Sequence, residues 1–190
     1  MANANVPFGL RLVQNQGCME GKIEKFYVPS TDSAAIGLGD PVKLAGSADA
    51  NGVPTVARLA TPGTDVFAGV MVGVEPLPTD LSLNYRKAST AMYIYVCTDP
   101  AALYEVQEDS AGGALAATSV GLNANVVLGT VDTTTGNGKT MLDSSTALGT
   151  STLDLQVVRL VARPDNEIGN YAKWIVKLNK TQYTNATTGV

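Results

Sequence analysis

Residues 133–140, TTTGNGKT, are the stretch of this chain that most resembles a catalytic signature. Their GNGKT end partly matches the phosphate-binding motif G-x-x-x-x-G-K-[ST], in which backbone N–H groups face the phosphates and a lysine reaches the terminal ones. That motif requires an initial glycine, where this chain has Thr133, and it requires a buried strand before it and a helix after it. Because the flanks are polar and no helical pattern follows Thr140, we predict a hairpin tip and no nucleotide site.

The absence of histidine removes most nucleophilic chemistry from this chain. Ser–His and Cys–His pairs are excluded, together with the commonest ligand of transition metals. The two cysteines, Cys18 and Cys97, are far apart in sequence and form a disulfide only if the fold brings them within reach. We expect two free thiols, and the strand-like run around Cys97 predicts a small buried side chain.

Oxygen ligands and paired carboxylates are the remaining routes to a metal site or a hydrolase. Asp132, Asn137 and Asp143 could offer oxygens to calcium, but they lack the EF-hand spacing, so a solvated loop is expected and a calcium ion stays an open alternative. Glu105 and Glu108 would point to opposite faces of a strand, so they cannot flank one glycosidic bond. We therefore predict a protein that is not an enzyme and holds no cofactor.

The composition is that of a folded protein with a weakly charged surface. The chain has 190 residues, of which 45% are hydrophobic and 16% charged, so one principal domain is expected and disorder is excluded for the chain as a whole. A surface with sparse charge promotes association, so we expect partners to cover much of it. The net charge of −4 disfavours nucleic acid as a partner.

The sequence predicts no membrane span and no secretory signal. The longest run of apolar or glycine residues is 68–74, far below the roughly 20 residues that cross a bilayer. The beginning of the chain, MANANVPFG, lacks the positive segment and the apolar segment of a secretory signal.

Alternation of apolar and polar residues, with β-branched and aromatic residues throughout, predicts an all-β protein, either an antiparallel β-barrel or a β-sandwich. Turn signals such as GLGDP and ATPGTD separate the runs. Trp174 shares one strand face with Val176 and Leu178, which predicts a core position. The predicted strands are 10–14, 22–28, 41–44, 53–59, 66–74, 91–97, 103–108, 153–162 and 173–178.

Two segments between the predicted strands differ from the rest. Residues 114–126 predict a loop with at most one helical turn, because glycine and β-branched residues interrupt any helical stripe. Residues 129–151 are rich in Thr, Ser and Gly, which predicts a surface excursion. The expected organisation is an N-terminal arm (1–9), a β body (10–180) and a C-terminal tail (181–190).

The two ends of the sequence carry a family resemblance. The stretches MANANVPFGLRLV, FYVPSTDSAAIGLGDPVKLAG, DVFAGVMVGVEP and RPDNEIGNYAKWIVKLNKTQY resemble the decoration, or cement, proteins of tailed-bacteriophage heads. The resemblance is weaker through the middle of the chain and includes no catalytic motif. It implies a non-enzymatic protein that binds the major capsid protein on the outer surface of the virion and reinforces the shell.

Low charge and strands that are apolar on both faces favour a homo-oligomer, with a trimer expected ahead of a dimer. The arm holds an apolar pair, Val6 and Phe8, in an extended Pro- and Gly-containing segment. Because ordering a free terminus costs entropy, we expect at least one terminus to lie across a neighbouring subunit, with Phe8 buried there. The candidate interaction residues are Val6, Phe8, Leu10 and Tyr183.

A second class of function stays open, that of a carbohydrate-binding β-sandwich from a tail fibre or a surface adhesin. Aromatic side chains would then stack on sugar rings. We expect the aromatic residues to be core and interface residues instead. The stacking candidates are Tyr85, Tyr93, Tyr95, Tyr104 and Trp174.

Overall fold

The computed structural model describes residues 3–14, 22–147 and 149–184, and it confirms an all-β fold with mainly antiparallel pairing. All nine predicted strands are present, and short 3-10 helices occupy Ala117–Ser119 and Ser144–Thr146. Within the described residues no helix has the length and apolar character needed to cross a bilayer. The strands are β1 (Arg11–Gln14), β2 (Ile23–Val28), β3 (Pro41–Ala48), β4 (Pro54–Arg58), β5 (Gly69–Val74), β6 (Met92–Cys97), β7 (Leu103–Gln107), β8 (Asn123–Ala124), β9 (Val126–Val127), β10 (Met141–Leu142), β11 (Leu155–Leu160) and β12 (Lys173–Leu178).

Five strands close a barrel in the order β2-β4-β3-β5-β6. Neighbouring strands are antiparallel, except that β2 and β4 run parallel through the pair Tyr27 and Thr55. Alternate side chains of each strand point inward, as the period of two requires. The barrel core consists of Phe26, Val28, Ile36, Val42, Val56, Ala68, Met71, Ile94 and Val96.

The second unit is an antiparallel sheet in the order β1-β7-β12-β11-β8, accompanied by the strand pair β9-β10. Trp174, Val176 and Leu178 lie in its core, as their shared strand face predicted. Ile175 is also buried, so β12 is covered on both faces. The sequence predicted either a barrel or a sandwich. The structure contains one closed barrel and, beside it, one open sheet.

The barrel wall formed by β5 and β6 separates the two cores. Met71 pairs with Val96, and both face the barrel interior. The next pair, Val70 and Cys97, turns the other way and packs in the core of the open sheet. The apolar character of both faces of β6 therefore arises within one chain and does not require a neighbouring subunit.

The open sheet holds its tryptophan through a buried carboxylate. Trp174 Nε1 donates to Glu108 Oε2 at 3.0 Å, and the same oxygen accepts from the Leu115 backbone N–H at 3.1 Å. Burial raises the pKa of Glu108, and these two hydrogen bonds oppose the rise. Glu105 lies elsewhere and pairs with Arg163 Nη2 at 2.8 Å. The two carboxylates thus serve separate structural contacts.

Residues 129–151, predicted as a surface excursion, also supply side chains to the interior. Val131, Thr140 and Leu142 are buried. Leu142 pairs with Val126 in the two-residue strands β10 and β9. Strands of two residues contain no alternation to detect, so the sequence pattern could not indicate them.

A buried arginine closes one end of the barrel. Arg86 is fully buried, and its guanidinium donates to the carbonyl oxygens of Thr90 at 3.0 Å and Pro29 at 2.7 Å. It also donates to the carbonyls of Asp32 at 2.9 Å and of Ala34. One planar group thereby donates to four backbone carbonyls, of which those of Pro29 and Asp32 also accept a backbone N–H.

We expect Arg86→Lys to lower the free energy of unfolding by about 3 kcal/mol, because an ammonium cannot reach this spread of carbonyls and each unsatisfied one costs about 1–3 kcal/mol. Urea denaturation measures the loss. Arg159→Lys is the control, since Arg159 is an exposed strand residue and its change should stay within about 0.5 kcal/mol. Equal stability of the two variants would contradict this role of Arg86.

Candidate interaction site

The N-terminal arm lies along its own chain. Asn3 Nδ2 donates to the carbonyls of Glu167 at 2.9 Å and Asn170 at 3.0 Å. In return, Asn3 Oδ1 accepts from the Glu167 backbone N–H at 3.1 Å. The Asn3 side-chain amide therefore binds the backbone of the turn between β11 and β12 through both its N–H and its carbonyl groups, as a neighbouring backbone segment would.

Gln107, at the end of β7, holds the next part of the arm. The Val6 backbone N–H donates to Gln107 Oε1 at 2.9 Å, and Gln107 Nε2 donates to Asn5 Oδ1 at 2.8 Å. These contacts offset the entropic cost of ordering the arm. Contacts within the same chain therefore hold residues 3–10 in place. That a terminus lies across a neighbouring subunit stays a prediction.

The arm then crosses the GLGDP loop, and the two segments are in direct contact through their backbone atoms. The Leu10 N–H donates to the Gly39 carbonyl at 2.9 Å, and the Gly39 N–H donates to the Met71 carbonyl at 2.8 Å. Gly39 has a φ of +81°, and a Cβ at this position would lie 2.7 Å from the Leu10 nitrogen. Only glycine allows both this backbone conformation and this approach.

The buried carboxylate of Asp40 anchors the crossing. Asp40 is fully buried, and its Oδ2 accepts from the Gly37 N–H at 3.0 Å and lies 2.9 Å from Arg58 Nε. Its Oδ1 accepts from Thr140 Oγ1 at 2.7 Å and from Arg58 Nη2 at 3.1 Å. Burial raises the pKa of Asp40, and the charge of Arg58 opposes the rise. The carboxylate links the GLGDP loop to β4 and to residue 140.

The GNGKT stretch is the third partner in this arrangement. The Leu38 N–H donates to the Gly136 carbonyl and the Gly138 N–H donates to the Leu38 carbonyl, both at 2.8 Å. A Cβ on Gly138 would overlap the Asp40 carboxylate. Lys139 Nζ pairs with Asp132 Oδ2 at 3.2 Å, and β10 begins directly after residue 140. A turn followed by a strand agrees with the predicted hairpin tip, and no helix follows to complete a phosphate site.

A groove of about 520 Å³ opens beside this crossing. Phe8 is half-buried at its edge, and Arg11 Cζ stands 4.5 Å from the centre of the Phe8 ring. Within the described residues, no carboxylate forms an ion pair with Arg11. The groove is therefore an apolar surface with one available cation. Its lining residues are Phe8, Leu10, Arg11, Leu12, Leu38, Gly39, Met71, Val72 and Asn137.

The structure separates the four predicted interaction residues. Val6 is 63% exposed, and Phe8 lies at the groove. Leu10 is only 1% exposed and packs in the core of the open sheet, but it also lines the groove, so its role as a contact residue stays a prediction. Leu10 is buried because it enters the sheet directly after the crossing. Sequence reasoning did not single out Ile168, which is 50% exposed in the turn that Asn3 clasps.

Tyr183 is not among the residues that line this groove. The Gln182 N–H donates to the Phe67 carbonyl at 2.7 Å, and the Phe67 N–H donates to the Lys180 carbonyl at 3.1 Å. Tyr183 is 45% exposed, and burial, followed by the charge of Glu24, raises its pKa. The described part of the C-terminal tail, residues 181–184, is therefore joined to the body.

The two carboxylates considered as calcium ligands, Asp132 and Asp143, are hydrogen-bonded within their own turns. The Asp132 carboxylate accepts from the Thr134 N–H at 3.0 Å, and Asp143 Oδ1 accepts from the Ser145 N–H at 2.9 Å. No group of three or more acidic or cysteine side chains within the described residues is arranged to hold a metal ion. Cys97 is buried, whereas Cys18 lies outside the described residues.

Comparisons of this chain with protein-family models, with curated proteins and with solved structures found no match. Its function is therefore argued from its own residues. At the arm these residues form a preorganised apolar face with a groove and a cation.

We expect Gly39→Ala to destabilise the protein more than Gly52→Ala does. Both glycines have a φ of +81°, but a Cβ at Gly52 meets nothing within 4 Å. Gly52→Ala therefore costs only the backbone strain of about 1–2 kcal/mol, whereas Gly39→Ala adds a steric cost of about 1–3 kcal/mol. Denaturant unfolding measures both losses, and faster hydrogen exchange at the Leu10 amide should accompany only the Gly39 variant. Equal losses would show that the close crossing does not matter.

The raised pKa of Asp40 predicts a pH dependence with a definite sign. A raised folded-state pKa contributes stability below the ordinary value of 3.8 that is lost as pH rises through the folded-state pKa. The stability penalty of Asp40→Asn should therefore shrink as pH rises from about 4 to about 7. Hydrogen bonds from Ser82 lower the pKa of Asp80, so its contribution is lost as pH falls below the ordinary value of 3.8, and the penalty of Asp80→Asn should grow as pH rises from about 3 to about 5. Thermal unfolding from about pH 3 to about pH 7 tests both signs, and parallel trends would contradict the assignment.

Proposed function

We propose that this chain is a non-enzymatic decoration, or cement, protein of a tailed-bacteriophage head. It binds the outer surface of the shell formed by the major capsid protein and stabilises that shell. The observation that supports this function is that the separate stretches carrying the family resemblance all contribute to the arm site.

Each resembling stretch supplies a different part of that site. The described part of MANANVPFGLRLV, residues 3–13, forms the arm and most of β1, and GLGDP forms the loop that the arm crosses. GVMVG supplies Met71 and Val72 to the groove wall. RPDNEIGN contains the turn that Asn3 clasps. Stretches that are distant in sequence and resemble the same proteins thus build one surface, which makes this surface the candidate for capsid binding.

The chemistry of this surface suits a protein partner. Val6 and Ile168 are exposed apolar side chains, Phe8 is half-buried, and Arg11 has no acidic partner within the described residues. Aromatic residues and arginine are enriched where protein interfaces gain most of their binding energy. A capsid loop with an apolar side chain and a nearby carboxylate would complement the groove.

The mechanism is the addition of many modest contacts. Each copy bridges neighbouring capsid subunits, and once one contact forms the others act at a high effective concentration. Because the arm is held by its own chain, binding does not require it to become ordered first. The net charge of −4 also limits competition for the packaged genome. A homotrimer, with a dimer as runner-up, remains part of the proposal.

Val6→Asp should weaken attachment to heads, because it places an unpaired carboxylate in the proposed interface. Leu81→Asp is the matched control, since Leu81 is 76% exposed, compared with 63% for Val6, and lies outside the arm. We expect at least about a tenfold loss of co-sedimentation for Val6→Asp and little change for Leu81→Asp. Heads with wild-type protein should release DNA at a higher temperature than bare heads or heads mixed with Val6→Asp. If bare and decorated heads release DNA at the same temperature, the cement function is wrong.

The carbohydrate-binding alternative has lost two of its stacking candidates. Trp174 and Tyr104 are fully buried and cannot stack on a ligand. Tyr85, Tyr93 and Tyr95 are half-buried and remain accessible. Retention on a glycan array, without co-sedimentation with heads, would favour this alternative.

A further inference from the structure

A second groove, of about 350 Å³, lies on the outer wall of the barrel and shares no lining residue with the arm groove. The connection after β5 forms one side, and β2 and β6 form the other. Its floor includes the side chain of Met92, which is 3% exposed. The lining residues are Tyr27, Glu75, Pro76, Leu77, Pro78, Ala91, Met92 and Tyr93.

A fixed pair of tyrosines dominates the groove. Tyr27 and Tyr93 are cross-strand partners with ring centres 5.3 Å apart and ring planes inclined by 50°. The Tyr93 hydroxyl donates to Asp49 Oδ2 at 2.5 Å, and Lys25 Nζ lies 4.0 Å from the centre of the Tyr93 ring. Tyr93 is therefore held in place before any ligand arrives, so a ligand need not order it.

The facing side presents two proline rings. Pro76 and Pro78 flank Leu77 in a segment that is hydrogen-bonded at both ends. The Glu75 N–H donates to the Tyr93 carbonyl at 3.0 Å, and the Asp80 N–H donates to the Leu77 carbonyl at 2.9 Å. Two tyrosine rings and two apolar proline rings thus line one preformed cleft.

The polar groups of the groove decide which ligand fits. Glu75 is the only charged side chain in the lining, and its Oε2 already pairs with Lys25 Nζ at 2.6 Å. A sugar would bury several hydroxyl groups here without partners, at a cost for each. A proline-rich segment lacks most backbone N–H groups, and its carbonyls can face water or accept from the Tyr27 hydroxyl.

The charges around the groove favour a basic ligand. Two carboxylates, those of Glu75 and Asp49, lie close to the ammonium of Lys25 and the ring of Tyr93. An arginine or lysine beside the prolines could share the Glu75 carboxylate, as basic residues do at acidic rims of binding sites.

We propose that this groove binds a proline-rich segment of a partner protein in the polyproline II conformation, with a basic residue next to the prolines. Such segments dock into aromatic-lined grooves because their extended conformation is preformed and costs little entropy. The proline rings pack on Tyr27 and Tyr93, and the basic residue lies at Glu75. This proposal does not depend on the capsid function, because it concerns a different surface.

The test uses synthetic peptides with a Pro-x-x-Pro core and one flanking arginine, added to the whole chain. Backbone NMR shifts should locate binding at Tyr27 and Tyr93 and yield an affinity. A peptide of the same composition, with its prolines separated so that no Pro-x-x-Pro remains, should bind at least about tenfold more weakly. Equal binding of both peptides, or no shift at millimolar peptide, would overturn the proposal.

Substitutions in the groove test whether the peptide binds there. Tyr27→Ala should weaken binding at least about tenfold, whereas Tyr95→Ala, on the same outer face but outside the groove, should leave it unchanged. Glu75→Gln should weaken the arginine peptide while leaving a peptide with a neutral flank unaffected. Circular dichroism checks that each variant is folded, and Tyr27→Leu, which removes the aromatic ring but keeps an apolar side chain, replaces Tyr27→Ala if the latter is not. Shifts of Tyr27 caused by an oligosaccharide and not by the peptide would assign the groove to carbohydrate instead.

Discussion

The arm site depends on one interaction, the buried ion pair between Asp40 and Arg58. A carboxylate with no exposure is tolerated only because a guanidinium, a backbone N–H and the Thr140 hydroxyl surround it. Removal of the Arg58 charge would leave the Asp40 carboxylate buried without a cation, whereas Arg58 is partly exposed and also donates to the Gly129 carbonyl. The residue before Asp40, Gly39, carries the arm crossing, so the position of the groove follows from the position of this carboxylate.

The two cores meet at a shared wall, and this determines which surfaces remain for partners. Because Val70 and Cys97 pack into the core of the open sheet, part of the apolar outer face of β5 and β6 is buried within the chain and is not available to a partner. The arm face and the tyrosine groove are two surfaces that stay accessible, and both are preorganised by hydrogen bonds of this chain. Binding at a preorganised surface costs less conformational entropy, which supports the proposed attachment through many modest contacts.

Much of the fold was predictable because strand patterns are local. The strand at residues 173–178 was predicted with its observed bounds, and its Trp174 face was assigned to the core as observed. Residues 129–151 were predicted less well, because Thr140 is buried through its bond to Asp40, one hundred residues away. The burial of Leu10 was not predicted for a similar reason, since its environment comes from strands and loops that follow it in the chain. An alternation pattern tells which side chains share a face, but it does not tell what covers that face.

The sequence by itself determined the strand content, the absence of histidine chemistry and the positions of the glycine-rich turns, since these depend on residue type and on neighbours along the chain. Only the tertiary structure decided that the N-terminal arm and two of those turns meet. The arm at Leu10, the loop at Gly39 and the hairpin at Gly138 come together through backbone hydrogen bonds and the contact with Asp40. Each glycine alone indicates a bend or a close approach, but its partner is set by strand pairing across the whole chain. Closure of the barrel and packing of the second core fix that pairing, and neither is encoded in a local pattern.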